Sequence, residues 1–282
     1  MTSQQRKIVF IRGLHNLQRS QDRSVVTIGS FDGVHLGHQA ILKQVKTKAK
    51  ELNLPSVVMI FEPQPQEFFS GEKAPARLMR VREKVETLRD FGIDKVVCLQ
   101  FNSALRNLNA SEFVHRILIE GLATRFLIVG DDFRFGANRE GDTNQLKQWG
   151  KEKNVLVEIT ETIIFEGERV SSTRIREALT NNNFELAEKL LGRAYTFSGK
   201  VVHGQHLGRT INVPTANIWL PNQRLPIQGV YAVRCSLNKE EHIGIANMGV
   251  RPTVGGDKPV LEVHLFNFNK NIYSKRLRVK SV

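Results

Sequence analysis

The chain has 282 residues, 40% of them hydrophobic, which suits one large domain or two of ordinary size in a soluble globular protein. Its formal charge of +13 fits a polyanionic ligand, a nucleic acid or a membrane surface, but the basic residues are scattered without a long Lys/Arg block, which argues against nucleic acid as the main partner. Cys98 and Cys235 form neither a disulfide framework nor a metal set, and the apolar run Ile8 to Ile11 is too short for a signal peptide or a membrane span, so a cytoplasmic protein is expected.

A first strand is predicted around Ile8–Ile11, followed by a polar connection. Val25, Val26 and Ile28 then read as a short buried strand, broken by Gly29 and Gly33. From Leu36 the apolar positions Leu36, Ala40, Ile41 and Val45 recur at helical spacing, so His35 and His38 sit around the first turn with both imidazoles facing one way. A helix start offers phosphate its unpaired N–H groups and the positive end of the macrodipole. Gly29, Gly33 and Gly37 would let a polyphosphate approach the backbone and permit φ > 0 where the turn needs it. A bare H-x-x-H is equally a zinc pair or two surface histidines. The strand, glycine turn and helix around it favour a pocket that holds nucleotide phosphates and stabilises charge during transfer.

Ser56–Phe61 reads as a second buried strand. It ends in Glu62-Pro63-Gln64-Pro65, where two prolines predict a rigid loop without regular structure at the carboxyl end of a strand, the place where open α/β sheets bind ligands. Leu78, Val81, Val85 and Leu88 mark an amphipathic helix closed by Phe91-Gly92, and Lys95–Leu99 the next strand. Asn109 with Glu112 caps a helix whose apolar face is Phe113, Ile117 and Leu118. Arg125–Val129 is a strand running into G-D-D-F-R-F-G (130–136), whose Phe can stack on a planar ring and whose Asp can accept from ring N–H groups. A salt-bridged turn is the plainer reading of that loop, and metal binding by Asp131 and Asp132 the weaker one. Val155–Ile159 and Thr162–Phe165 complete this half, turning at Glu166-Gly167-Glu168. The alternation predicts a Rossmann-like α/β domain, a mostly parallel sheet covered on both faces. Next, R-V-S-S-T-R-I-R (169–176) joins hydroxyls at a helix start to three arginines, a donor set suited to a triphosphate, although ordinary capping also explains the serines.

Phe184–Leu191 is a short apolar helix, and beyond Gly192-Arg193 helical periodicity nearly disappears. Strand candidates Tyr195–Val202, Ile218–Leu220, Val230–Arg234, Ile243–Asn247, Leu261–Phe266 and Tyr273–Val279 predict a small closed antiparallel β-barrel, giving domains 1–186 and 187–282. G-Q-H-L-G-R-T (204–210) is a candidate glycine loop over phosphates. Thr215 and Asn217, two apart on an extended segment, point the same way and can share a hard cation such as Mg²⁺; a structural turn explains P-T-A-N equally well if it stands alone.

The string G-S-F-D-G-V-H-L-G-H (29–38) resembles the H-x-G-H signature of the nucleotidyltransferase superfamily, and in its longer form it is similar to the bacterial bifunctional riboflavin kinase/FMN adenylyltransferases, or FAD synthetases. Alone it leaves pantetheine-phosphate, nicotinamide and cytidylyl transferases open. Class I aminoacyl-tRNA synthetases share the element, but this chain has S-S-T-R-I-R in place of a K-M-S-K-S-like motif. F-E-P-Q-P, G-D-D-F-R-F-G and S-S-T-x-I-R match loops of the first family domain. P-T-A-N, G-V-Y (229–231), N-M-G-V-R-P-T (247–253) and L-E-V-H-L (261–265) match the riboflavin kinase domain in order and spacing.

The resemblance implies transfer of AMP from ATP to FMN, giving FAD and pyrophosphate, and ATP-dependent phosphorylation of riboflavin to FMN. In the first reaction the FMN phosphate attacks the α-phosphorus in line, while His35, His38, Ser172, Thr173 and Arg176 with Mg²⁺ stabilise the charge and no covalent enzyme intermediate forms. Gly29, Phe31, Asp32, Gly33 and Gly37 are implied to line the nucleotide, Asp132 and Phe135 to contact the flavin, and Arg169 to lie close to the ATP phosphates. In the second domain Gly208 belongs to the phosphate loop, Thr215 and Asn217 hold Mg-ATP, and Glu262 takes the proton from the ribityl hydroxyl.

The sequence departs from the family at Gln205 and His206, where relatives often carry acidic residues, and at Asn212-Val213. The match stops at Lys280-Ser281-Val282, where the family continues with a closing strand and helix. An unpaired sheet edge, uncovered apolar surface and an impaired kinase are therefore expected, with a monofunctional adenylyltransferase as the alternative. A binding module that has lost turnover is the reading from another class, and the intact motifs argue against it. Expected partners are ATP, riboflavin and FMN, with neither nucleic acid nor membrane, in a monomer or weak homo-oligomer.

Overall fold

The computed structural model describes residues 8–16, 23–203, 215–220, 225–238, 240–251 and 258–281. They fall into two compact units, one spanning the chain to Pro75 together with Val81–Val170, the other Ala76–Arg80 together with the chain from Ser171 onward.

In the first unit six strands form one parallel sheet: β1 (Val9–Arg12), β2 (Ser24–Ile28), β3 (Ser56–Glu62), β4 (Lys95–Gln100), β5 (Thr124–Gly130) and β6 (Leu156–Thr160). Their spatial order is β1-β4-β3-β2-β5-β6. Parallel neighbours need crossover connections. Those contain α1 (Leu36–Leu52), α2 (Pro65–Ser70), α3 (Val81–Asp90), α4 (Ser103–Arg106), α5 (Ala110–Glu112), which winds on as a π-helical stretch over Phe113–Gly121, and α6 (Thr143–Glu152). β2 is buried along its whole length and β3 in all but its last residue, as the continuous V-V and V-V-M-I-F runs require of strands covered on both faces. Val26, Val57, Met59 and Leu127 pack with Ile117 and Leu118 of the π-helical stretch in one core cluster.

Position in this sheet decides where a ligand can go. From β2 the chain steps outward through β3 to β4, then returns to the other side of β2 for β5 and β6. The order reverses at β2, and the crevice at the carboxyl ends there is the topological switch point at which open α/β sheets bind ligands.

Pro65 does not prevent regular structure, as the double proline suggested. It opens α2 as the first helical residue, where its fixed φ fits and its missing N–H is not needed. The capping box at Asn109 and Glu112 is present, with bonds of 2.8 and 2.9 Å. β7 (Ile164–Phe165) and β8 (Glu168–Arg169) pair across Glu166 and Gly167, both with positive φ, as a tight hairpin demands.

The second unit begins with α7 (Ser172–Thr180) and α8 (Phe184–Leu191). Six antiparallel strands follow: β9 (Thr196–Val202), β10 (Ala216–Ile218), β11 (Gly229–Leu237), β12 (Glu240–Arg251), β13 (Lys258–Leu265) and β14 (Arg276–Ser281), closed in the order β10-β13-β12-β11-β14-β9. Val201, Val233, Ala246, Leu261, Val263 and Leu277 fill the interior. Among the described residues the expected unpaired edge is not found. β14 bonds to β11 on one side and to β9 on the other, and β9 closes the ring on β10. Apolar surface does remain uncovered on the outside, where Val230 is 66% and Ile243 61% exposed.

Candidate active sites

β2 leads into the turn 29–35 and then α1. Phe31, Gly33 and Val34 all take left-handed backbone conformations, with φ of 46°, 81° and 43°. For β-branched Val34 this conformation is unfavourable by roughly 1–3 kcal/mol and persists only where surrounding contacts over-determine it. Such contacts are present. The Gly29 N–H donates to the Met59 carbonyl at 3.1 Å, the Val34 N–H to the Phe31 carbonyl at 3.3 Å, and Gln39 Nε2 to the Val34 carbonyl at 2.9 Å. Phe31, Asp32 and Val34 are buried.

His35 is the N-cap of α1. Its Nδ1 accepts the His38 backbone N–H at 3.4 Å, an acceptor role that puts the proton of the neutral ring on Nε2. The two imidazoles stack with centroids 3.7 Å apart and planes 21° from parallel, and the Phe31 ring lies 4.9 Å from that of His38. Of the three glycines, Gly33 alone takes the left-handed conformation. The other two make room for rings. A Cβ on Gly37 would stand 3.2 Å from the His35 ring, and one on Gly29 3.2 Å from the Phe31 ring.

Two further loops leave the sheet at carboxyl ends. After β3, the Gln64 backbone N–H donates to Glu67 Oε2 at 2.9 Å, while its buried side-chain Nε2 has no hydrogen-bond partner among the described residues. Phe68 and Phe69 of α2 then meet Phe101 at 5.3 and 5.8 Å, with the Arg106 guanidinium 5.3 Å from the ring of Phe69, itself 59% exposed. Sequence reasoning missed this aromatic shelf; the F-F pair just beyond the double proline is its signal. After β5, Asp131 accepts from Thr162 Oγ1 at 2.8 Å and Asp132 pairs with Arg169 at 2.5 Å, so the adjacent aspartates have separate partners. Among the described residues no group of three or more His, Cys, Asp or Glu is placed to hold a metal. Phe135 is 5% exposed and packs against Phe113, Phe133 and Trp149, with Phe133 stacked on it at 5.7 Å.

In the second unit Ser171 caps α7 by accepting the Arg174 N–H at 3.2 Å, leaving Ser172 and Thr173 as the first two helical residues. Arg176 Nε donates to the Ala76 carbonyl at 2.6 Å. In the barrel the register sets Asn217 opposite Glu262 and Glu262 opposite Asn247. Directly opposed residues share a face of the sheet. Their neighbours Ile218, Leu261 and Met248 are buried in the interior, so Asn217, Glu262 and Asn247 form a polar row across three strands on the other face. Thr215 is two residues before Asn217, just ahead of β10. The sequence assigned Asn247 no role of its own, because partners far apart along the chain meet only through register. Gly208 and the rest of the 204–210 loop lie outside the described residues, as does Pro214.

A parallel sheet with an H-x-G-H helix start at its switch point is a nucleotidyltransferase fold, and the closed six-stranded barrel is of riboflavin kinase type. The FAD synthetase family model matches residues 17–174 and the riboflavin kinase model residues 191–282. The bifunctional riboflavin kinase/FMN adenylyltransferase of Pseudomonas fluorescens is 50% identical over 271 residues, covering 96% of this chain and 87% of the relative. That of Escherichia coli K12 is 48% identical over 272 residues, with the same coverage of 96% and 87%. The chain belongs to the bifunctional riboflavin kinase/FMN adenylyltransferase family. A crystal structure described as a macrolide-efflux protein from Streptococcus pneumoniae is similar as well, with a TM-score of 0.83 and 31% identity over 97% of this chain and 90% of that one. Among the described residues here, no helix is long and apolar enough to cross a membrane.

Proposed function

We propose that this chain makes FAD in two ATP-dependent steps, phosphorylating riboflavin to FMN and then joining FMN to the AMP part of ATP with release of pyrophosphate. Family membership over both domains supports the pair of activities, and the closed barrel supports a working kinase over a monofunctional alternative. The observation that carries the adenylyl-transfer step is the stacked His35–His38 pair at the start of α1, at the switch point of the sheet.

Each reaction moves a phosphorus centre between oxygens, so positioning and charge stabilisation carry the catalysis. His35 and His38 donate to phosphate oxygens as charge builds during attack of the FMN phosphate on the α-phosphorus. Gly29, Phe31, Asp32, Gly33 and Gly37 shape the turn that holds them. Ser172, Thr173 and Arg176, with Arg169, supply hydroxyl, amide and guanidinium donors for the triphosphate. The flavin ring is assigned to the loops after β3 and β5, with Asp132 accepting from ring N–H groups and Phe135, stacked with Phe133, as the aromatic contact. In the barrel Glu262 takes the proton from the ribityl hydroxyl as it attacks the γ-phosphorus, and ADP leaves.

Mg²⁺ fits the oxygen donors of Thr215 and Asn217, two residues apart at the start of β10; when bound it would supply charge neutralisation for the phosphates. The activities divide near residue 186, Gly208 belongs to the kinase phosphate loop, and the protein works in the cytoplasm as a monomer or weak homo-oligomer.

Two variants test the division of labour. His38→Ala is expected to lower FAD formation from FMN by about 10²–10³-fold, the scale for removing one donor to developing charge, and to leave riboflavin phosphorylation intact. Glu262→Gln is expected to do the reverse. Loss of both activities in both variants, or of neither, contradicts the assignment.

A further inference from the structure

The turn that carries His35 and His38 is held by a residue outside the motif. Lys84 of α3 is 1% exposed, and its Nζ donates to the Ser30 carbonyl oxygen at 2.5 Å. Lysines on amphipathic helices ordinarily lay the stem on apolar surface and keep the amine in water. Burying the amine is unfavourable unless it is hydrogen-bonded. Lys84 sits one helical turn before Leu88, which is fully buried, so the helix face that packs inward takes the lysine with it. The carbonyl it holds immediately precedes Phe31, the first left-handed residue of the turn. At the far end, Gln39 Nε2 holds the Val34 carbonyl at 2.9 Å. Lys84 and Gln39 thus bracket the three left-handed residues that deliver the chain to His35.

We infer that Lys84 is a positioning residue for adenylyl transfer: by fixing the Ser30 carbonyl it sets the path of residues 29–35 and, through it, the placement of the His35–His38 pair. The inference rests on the adenylyl-transfer reading above. Misplacing a catalytic group by about 1 Å can lower a rate on the order of 10²-fold, so the effect belongs in kcat and not in substrate affinity.

The test uses the full chain carrying Lys84→Met, which keeps an apolar stem and removes the donor. The kcat for FAD formation is expected to fall about 10²-fold, with KM for FMN and for ATP within threefold and riboflavin phosphorylation unchanged. Histidine-selective ¹⁵N NMR supplies a readout independent of turnover. The His35 and His38 ring resonances are expected to shift, while those of His242 and His264 in the barrel stay in place. Wild-type kcat together with unmoved His35 and His38 resonances overturns the inference. Should Lys84→Met fail to fold, Lys84→Gln, a shorter donor, is read in the same two ways; loss of fold in both overturns it as well, since Lys84 would then serve the fold and not the turn. If the unaltered protein makes no FAD, the adenylyl-transfer reading fails, and the NMR comparison still decides whether Lys84 sets the histidine pair.

Discussion

The imidazole of His35 lies face to face with that of His38, 3.7 Å between centroids, on the first turn of the helix that leaves the switch point of the sheet. The arrangement depends on Gly37 between them, because a Cβ there would stand 3.2 Å from the His35 ring and 3.6 Å from the Val170 carbonyl. Gly37→Ala is therefore expected to displace the His35 ring and lower FAD formation by about tenfold or more, while helix propensity itself improves by about 1 kcal/mol. Steady-state rates alongside thermal melting check this. A stable variant with wild-type rates contradicts the packing role.

Phe135 is enclosed by Phe113, Phe133 and Trp149. Truncating a buried Phe removes both transfer energy and packing, about 3–5 kcal/mol. Phe135→Ala is expected to lower the unfolding free energy by that amount in denaturant titrations, whereas Phe133→Ala, one ring nearer the surface, is expected to raise KM for FMN with a smaller stability change.

The Asp132–Arg169 pair is short, at 2.5 Å, but its side chains are 60% and 48% exposed. Exposed pairs contribute about 0–1 kcal/mol. Asp132→Asn is expected to leave thermal stability nearly unchanged and to weaken FMN binding, measured by titration of flavin fluorescence. A large loss of stability without a change in flavin binding would assign the pair to the fold.

Cys235 lies fully buried in the barrel wall, and burial, with a smaller push from Glu241, raises its thiol from 9.0 to about 12. The folded state therefore keeps the proton after the unfolded chain has lost it. The contribution of Cys235 to stability is fully present below pH 9 and is lost as the pH rises from 9 towards 12. Iodoacetamide at pH 8 is expected to leave Cys235 unmodified in the native protein and to alkylate it in urea, as read by mass spectrometry.

Much of this was legible in the residues themselves. Continuous V-V and V-V-M-I-F runs announced β2 and β3, the Asn109–Glu112 pair announced α5, and period-two segments after Gly192 announced the barrel, because in each the local pattern and the final environment agree. The failures have two causes, a local pattern too weak to read and a deciding contact distant in sequence. α6 has few apolar residues to show a period, and only its Asp142 cap, accepting from Asn144 and Gln145 at 2.9 Å, marks the start. Lys84 reads as a surface lysine until its four-residue offset from Leu88 is weighed. The row of Asn217, Glu262 and Asn247 exists only through strand register.

Whether one chain performs both steps of FAD synthesis is decided by separating the reaction products. Purified protein with Mg-ATP is given riboflavin in one tube and FMN in another, and the flavins are resolved by liquid chromatography. FMN and then FAD are expected from riboflavin, and FAD from FMN. FAD from FMN with no FMN from riboflavin would contradict the working barrel, and no product from either substrate would contradict both activities.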